Sequence, residues 1–153
     1  MNPIFAKLNY KAQLEIAVIN MPAEFAPAVE SMQSVATIVT DPQKIQEGGF
    51  IIAFVKTQQE VNALVPILAQ KLHGDGLLWF AYPKGSSKKY TCDFNRDTGW
   101  GQLGELGFES VRMIAIDEDW SALRFRRTEY IKKMTRQDNR AMSQHGKEKL
   151  INS

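Results

Sequence analysis

Six stretches of the chain have the length and composition of β-strands. Residues 50–55 and 77–82 are apolar at every position, which is typical of interior strands covered on both faces. The sixth stretch alternates, with Leu123 and Phe125 on one face and Arg124 and Arg126 on the other, which predicts a half-exposed strand. The predicted strands are 14–19, 35–39, 50–55, 77–82, 111–116 and 121–126.

Apolar residues at helical spacing lie between the first strands. A short helix is predicted within 25–32 and a longer one within 61–72. Thr57 and Glu60 have the spacing of a capping box, in which each side chain bonds the backbone of the other, so we expect the longer helix to begin there.

A third helix is predicted after residue 96. Asp97 or Thr98 would cap its start, and Gly107 would end it after about Leu106. Residues 99–104 (GWGQLG) match the glycine pattern of dinucleotide-binding loops. That fingerprint belongs to the first strand-to-helix turn, so here we interpret the glycines as packing positions in a short helix.

The order of these elements predicts the fold class. Strands that alternate with helices favour right-handed crossovers and a mainly parallel sheet. The last two strands have no helix between them, which predicts one antiparallel strand. We therefore expect a Rossmann-like α/β three-layer sandwich with strand order 2-1-3-4-6-5, and a topological switch point between the first and third strands.

Size and composition are those of an ordinary globular domain. The 153 residues suit one domain, predicted for residues 1–127. The single cysteine excludes an internal disulfide and a cysteine-based zinc site, and the two histidines are too far apart in sequence to form a metal-binding motif. No segment resembles a signal peptide or a membrane span, so we expect a cytoplasmic protein without a membrane partner.

The basic residues are concentrated at the end of the chain. Residues 124–153 carry nine Lys or Arg against three Asp or Glu, whereas the whole chain has a net charge of only +2. We interpret 128–153 as a basic tail, helical or disordered. Such a tail is either a solvated chain end or a contact surface for nucleic acid or an acidic partner.

The strongest candidate site is the polar loop that follows the fourth strand. Open α/β sheets bind ligands at the carboxyl ends of their strands. Hydroxyl and cationic side chains next to flexible backbone suit a small anion such as phosphate or carboxylate. The predicted ligand-binding residues of the 84–97 loop are Lys84, Ser86, Ser87, Lys88 and Arg96. The alternative is a solvated surface loop in which Arg96 pairs with Asp97.

Other polar and aromatic groups have structural interpretations. Trp79, Trp100 and Trp120 are predicted to pack in the core, with indole N–H groups that need partners. The acidic run 117–119 is predicted to form a hairpin turn rather than a cation site, and Arg124 and Arg126 to pair with carboxylates of a neighbouring strand.

Two sequence strings carry a resemblance to a known family. They are Tyr-Pro-Lys-x-Ser-Ser at 82–87 and Ile-Asp-x-x-Trp-Ser-x-Leu-Arg at 116–124. The chain resembles an uncharacterised bacterial family with both strings, to which no activity is assigned.

The strand pattern is also distantly similar to that of Rossmann-like methyltransferases that use S-adenosylmethionine. This resemblance implies that the turn at Asn20 and the carboxylate of Asp41 would bind the cofactor, with Asp41 on the ribose hydroxyls. The alternative for Asp41 is a capping or turn role before Pro42. The chain departs from those enzymes because the turn after the first strand contains no glycine.

Three hypotheses follow. The first is a non-catalytic module, without a resident cofactor, that binds a small anionic ligand at the 84–97 loop. The second is a divergent S-adenosylmethionine-dependent methyltransferase that uses Asn20 and Asp41. The third is an interaction protein that uses its basic tail. The sequence alone does not decide the oligomeric state.

Overall fold

The computed structural model describes residues 2–94 and 98–131. The strands are β1 (Glu15–Ile19), β2 (Thr37–Val39), β3 (Phe50–Phe54), β4 (Leu77–Pro83), β5 (Phe108–Ala115) and β6 (Trp120–Arg127). The α-helices are α1 (Pro3–Lys7), α2 (Ala26–Glu30), α3 (Gln58–Lys71) and α4 (Gly101–Glu105). Short 3-10 helices span Ala23–Phe25, Pro42–Lys44 and Thr128–Tyr130. No helix in the described ranges is long and apolar enough to cross a membrane.

All six strands form one sheet in the order β2-β1-β3-β4-β6-β5, which confirms the predicted topology. The first four strands are parallel, and β6 runs antiparallel to both β4 and β5. From β1 the chain adds β2 on one side and β3 and β4 on the other, so the topological switch point lies between β1 and β3 as expected. The fold is therefore α/β and Rossmann-like.

Strand β4 lies in the interior of the sheet and all seven of its residues are buried. It pairs with β3 on one side, with Ala53 opposite Phe80, and with β6 on the other, with Tyr82 opposite Ser121. Its side chains enter two cores, one on each face of the sheet. A polar loop at the end of this strand is therefore placed over the middle of the sheet.

The longest helix begins where its capping residues predict. Thr57 Oγ1 accepts the Glu60 N–H and the Glu60 carboxylate accepts the Thr57 N–H, which completes the capping box. At the other end, Arg127 donates to the carbonyl oxygens of Ala69 and Gly74 at 2.9 and 2.7 Å. A guanidinium at a helix C-terminus stabilises the unpaired carbonyls and opposes the negative end of the dipole.

A buried carboxylate fixes the turn that precedes β3. Glu15 is 5% exposed, and its oxygens accept backbone N–H groups from Gln46, Glu47 and Gly48 at 2.9 to 3.2 Å. Gly48 has a φ of +63°, and a Cβ there would overlap the carbonyl oxygen of Lys71. Only glycine fits this close approach of the turn to the end of α3.

The prediction that Thr98 caps the third helix is wrong. The helix begins at Gly101 with Trp100 at the N-cap and no side-chain capping bond, while Asp97 lies outside the described residues. Trp100 is 2% exposed and packs against Phe80 and Phe125 at centroid distances of 5.6 and 5.1 Å. Burial of this indole therefore decides where the helix starts. Gly107, with a φ of +87°, follows its end as predicted.

The prediction for the sixth-strand arginines is also corrected. Arg126 forms a two-point ion pair with Asp75, at 2.8 and 2.7 Å, and Arg124 reaches the same carboxylate at 3.9 Å. Asp75 precedes β4 in a turn rather than on a neighbouring strand. The sequence does not show that the β3–β4 connection brings this turn beside β6.

Candidate functional site

A cavity of about 550 Å³ lies between the polar loop and the ends of the central strands. We call it the β4 cavity. Its loop side includes Lys84, Ser86 and Ser87, and its sheet side includes Met113 of β5 and Ser121 of β6. The aromatic side chains in its wall are Tyr82, Tyr90 and Phe94. Three of the five predicted loop ligands therefore line one cavity at the carboxyl end of β4.

The start of the loop is fixed to the β5–β6 hairpin by Asp119. The Lys84 N–H donates to the Asp119 carbonyl oxygen and the Ser87 hydroxyl donates to its carboxylate, both at 2.8 Å. Ser87 Oγ also accepts the N–H groups of Lys89 and Tyr90 at 3.2 and 3.1 Å. The Ser87 hydroxyl therefore donates and accepts hydrogen bonds within the protein, and these bonds hold the loop in its conformation.

The middle of the loop is held by Glu24, which follows β1. Tyr90 donates its hydroxyl proton to Glu24 at 3.0 Å, and the Trp120 indole N–H donates to the other carboxylate oxygen at 3.2 Å. The Tyr90 ring packs on Trp120 with centroids 5.0 Å apart, and Lys89 Nζ lies 3.5 Å from Glu24. These contacts join the loop to the carboxyl end of β1.

The titration of Glu24 reflects this arrangement. Burial by itself would raise the pKa of the carboxyl, but hydrogen bonds from Tyr90 and Trp120 and the charge of Lys89 lower it below its ordinary value. The hydrogen bond to Glu24 raises the pKa of the Tyr90 phenol. Glu24 is therefore ionised at neutral pH and offsets the charge of Lys89.

The end of the loop contacts α3 and the opposite core. Asp93 accepts the N–H of Gln58, in the first turn of α3, at 2.7 Å. Phe94 packs edge-on against Trp100 at 5.1 Å and lies 6.1 Å from Tyr82. Because Tyr90 packs on one face of the sheet and Phe94 on the other, the loop crosses over the end of β4.

The cationic groups of the loop differ in their availability. Lys84 lines the cavity, and its ammonium group makes no hydrogen bond or ion pair within the described parts of the chain. Lys88 is exposed and is not among the described lining residues. Arg96 lies outside the described residues. Lys84 and Ser86 are thus the predicted ligands that line the cavity without a side-chain hydrogen bond to the described residues.

Cys92 also lines the cavity and is partly buried. Burial raises the pKa of its thiol, with a smaller contribution from the carboxylates of Asp93 and Glu60 against a hydrogen bond at the Phe94 backbone. A thiol with a raised pKa is a weak nucleophile at neutral pH.

The two residues predicted for S-adenosylmethionine lie elsewhere on the same edge. Asn20 follows β1 with a φ of +58°, so it adopts the left-handed conformation that a glycine would supply in this turn. Asp41 follows β2, is exposed, and accepts the Gln43 N–H at 2.9 Å. Neither is among the described residues that line the β4 cavity.

The acidic run of the hairpin has a structural role. One Asp117 oxygen accepts the N–H groups of Asp119 and Trp120, both at 2.8 Å, which closes the turn between β5 and β6. Within residues 2–94 and 98–131, no group of three His, Cys, Asp or Glu side chains is placed to hold a metal ion.

Several cavity residues were not predicted from the sequence. Tyr82 and Ser121 lie at the two strings noted above and become neighbours only through the antiparallel register of β4 and β6. Met113 accepts a hydrogen bond from the Tyr82 hydroxyl at 3.5 Å. The sequence signal that could have predicted these residues is that both strings lie at the same edge of the predicted sheet.

Comparisons with known proteins give distant structural likenesses. A candidate type 11 methyltransferase from Sulfolobus solfataricus aligns over 75% of this chain and 85% of its own, with a TM-score of 0.43 and 9% identity. A protein of the NADB-Rossmann superfamily from Streptococcus agalactiae aligns over 83% and 68%, with a TM-score of 0.47 and 10% identity. The fibrillarin/Nop5p complex matches over 77% and 74%, with a TM-score of 0.44 and 11% identity. At these TM-scores the likenesses carry no functional argument.

No protein-family model and no curated protein sequence matches the chain. The resemblance to an uncharacterised bacterial family therefore stays a prediction.

We expect Ser87→Ala to lower the free energy of unfolding by about 1–2 kcal/mol, because it leaves the Asp119 carboxylate and two backbone N–H groups without their partner. Urea denaturation measures the change. Ser86→Ala is the matched control, since Ser86 is exposed, and its effect should stay within about 0.5 kcal/mol. Equal stability of the two variants would contradict the role assigned to Ser87.

We expect Glu24→Gln to reduce the loss of stability in acid. A carboxyl whose pKa is lowered by folding stabilises the protein above its unfolded-state pKa, and this contribution disappears as pH falls through the folded-state value. Between about pH 5 and pH 3, the melting temperature of the wild type should therefore fall more steeply than that of the variant.

Thermal melts across this range test the prediction. Glu30→Gln removes an exposed carboxylate at the end of α2 and should keep the steeper wild-type profile. If the melting temperatures of Glu24→Gln and the wild type fell in parallel with pH, the hydrogen bonds and the ion pair of Glu24 would not lower its pKa, which would contradict the prediction.

Proposed function

We propose that this protein is a non-catalytic module that binds a small ligand with an apolar body and one anionic group in the β4 cavity. The observation that carries the proposal is Lys84, which lines a cavity of about 550 Å³ and whose ammonium group has no hydrogen-bond or ion-pair partner among the described residues. That volume is within the range of about 300–1,000 Å³ common for ligand sites. The position, at the carboxyl end of a central strand, is where such folds bind ligands.

The two sides of the cavity suit the two parts of such a ligand. Lys84 and Ser86 offer an ammonium group and a hydroxyl to a phosphate or carboxylate. Tyr82, Phe94 and Met113 provide aromatic and thioether surface for a ring or chain.

Binding rather than catalysis is favoured by the chemistry of the wall. Among the described residues that line the cavity there is no Asp, Glu or His to act as a general base at neutral pH. The one thiol, Cys92, has a raised pKa and so does not have the character of an activated nucleophile.

A methyltransferase is the second candidate, because Asn20 forms a left-handed turn without glycine and Asp41 follows the adjacent strand β2 on the same edge. Against it, the segment that follows β1 is occupied by side-chain contacts, since Glu24 there accepts hydrogen bonds from Tyr90 and Trp120. The third hypothesis concerns the basic tail, of which residues 132–153 lie outside the described part of the chain, and it stays a prediction.

The single cysteine of the chain makes the proposal testable at one atom. We expect a ligand in the β4 cavity to slow alkylation of Cys92 by iodoacetamide, measured by intact mass at about pH 8.5 where part of the thiol is ionised. Matched pairs such as phenyl phosphate and phenol, or benzoate and benzamide, separate the need for charge from the need for a ring. The anionic member of each pair should protect at lower concentration.

The lysines supply matched variants. Lys84→Gln should weaken protection by at least about tenfold, because a charge-assisted hydrogen bond is lost. Lys88→Gln removes an equal charge outside the described lining and should change little. Failure of every anion to protect Cys92, or equal protection in Lys84→Gln, would overturn the proposal. S-adenosylmethionine belongs in the same series, since a thermal shift without protection of Cys92 would favour the methyltransferase.

A further inference from the structure

Three arginines of β5 and β6 share one face of the sheet, opposite to the face of the cavity residue Met113. Arg112 of β5 and Arg124 of β6 are direct partners in the antiparallel register, so their side chains leave the sheet on the same face. Arg126 lies two residues farther along β6 and therefore on that face as well. We call these three residues the arginine face.

One described carboxylate, Asp75, pairs with this face. It is bound at both oxygens by Arg126, at 2.8 and 2.7 Å, and its contact with Arg124 is longer, at 3.9 Å. Glu109 lies opposite Arg126 in the register, but it is 3% exposed and has interactions of its own. Asp75 therefore satisfies Arg126, and within residues 2–94 and 98–131 the ion pair described for Arg124 is this longer contact with the same carboxylate.

The remaining two guanidinium groups are poorly satisfied. Arg124 exposes 15% of its side chain, and its buried Nε–H has no hydrogen-bond partner among the residues that the structure describes. Arg112 is exposed and forms no hydrogen bond or ion pair within the described parts of the chain. Like charges placed directly opposite each other on a sheet are destabilising. Burial, together with Arg126 and Arg112, lowers the pKa of Arg124 although Asp75 opposes the change.

We propose that Arg112 and Arg124 form a binding site for a phosphate group, either as free phosphate or on a small phosphorylated molecule. Two adjacent guanidinium groups offer several N–H donors in the planar geometry that suits phosphate oxygens. Their combined charge matches the charge of about −2 on a phosphate monoester, whereas a single carboxylate supplies half of it. A bound dianion also removes the repulsion between the two arginines. This site is independent of the function proposed for the β4 cavity.

The test uses the full chain labelled with ¹⁵N and follows the arginine Nε–Hε signals by NMR. The Arg124 signal is assigned by its loss in Arg124→Lys. Inorganic phosphate is titrated at constant ionic strength, and phenyl phosphate and acetate form two further arms. We expect a saturable shift of the Arg124 signal with both phosphates, and a much weaker response to acetate. A tighter response to phenyl phosphate would identify a phosphate ester as the ligand, and equal responses would identify the phosphate group itself.

Arg112→Gln separates binding from folding, because this exposed side chain makes no described contact that the fold needs. The variant should bind phosphate at least about tenfold more weakly. In phosphate-free buffer it should melt at the same or a slightly higher temperature, since the repulsion is gone. Lys84→Gln should leave the titration unchanged. An unsaturable shift, equal responses to acetate and phosphate, or an unchanged response in Arg112→Gln would overturn the proposal.

Discussion

The site described here depends on the double hydrogen bond between Asp119 and the turn that follows β4. Asp119 accepts the Lys84 N–H with its carbonyl oxygen and the Ser87 hydroxyl with its carboxylate. The two segments are joined only because β6 returns antiparallel beside β4, with Trp120 opposite Pro83. Without this tie, nothing in the loop's own sequence would hold Lys84 and Ser86 at the end of the sheet, since glycine and hydroxyl residues favour many backbone conformations.

The rest of the loop is positioned by packing. Tyr90 joins the core that contains Phe54 and Trp120, and Phe94 joins the core that contains Trp100. Anchors on both faces keep the loop over the end of β4, and the space left between it and the sheet is the β4 cavity. Glu24 offsets Lys89, and among the described residues that line this cavity the cationic side chain is that of Lys84.

The fold was predictable because its main signals are local. Uninterrupted apolar runs at β3 and β4 indicated interior strands, and the missing helix before β6 indicated the antiparallel member. The start of α4 was not predictable from capping residues, since burial of Trp100 outweighs the gain from a cap of about 1 kcal/mol.

The candidate site was predictable only in part. Lys84, Ser86 and Ser87 were found because polar groups after a buried strand are a local pattern. Met113 and Ser121 entered the cavity through strand register, which a single sequence does not specify. Asn20 is a case where a left-handed turn was built without the expected glycine. The pairing of Asp75 with Arg126 likewise depends on a contact between residues 51 positions apart.

Amide hydrogen exchange tests the central claim most directly, because it reads the bonds of the loop one residue at a time. The account predicts that the Lys84 and Tyr90 amides of the wild type exchange at least about 100-fold more slowly than in an unstructured peptide. In Asp119→Ala the Tyr90 amide should lose this protection while the amides within β4 keep theirs. Exchange of Lys84 and Tyr90 at peptide rates in the wild type would contradict a loop fixed by Asp119, and with it the cavity that the loop encloses.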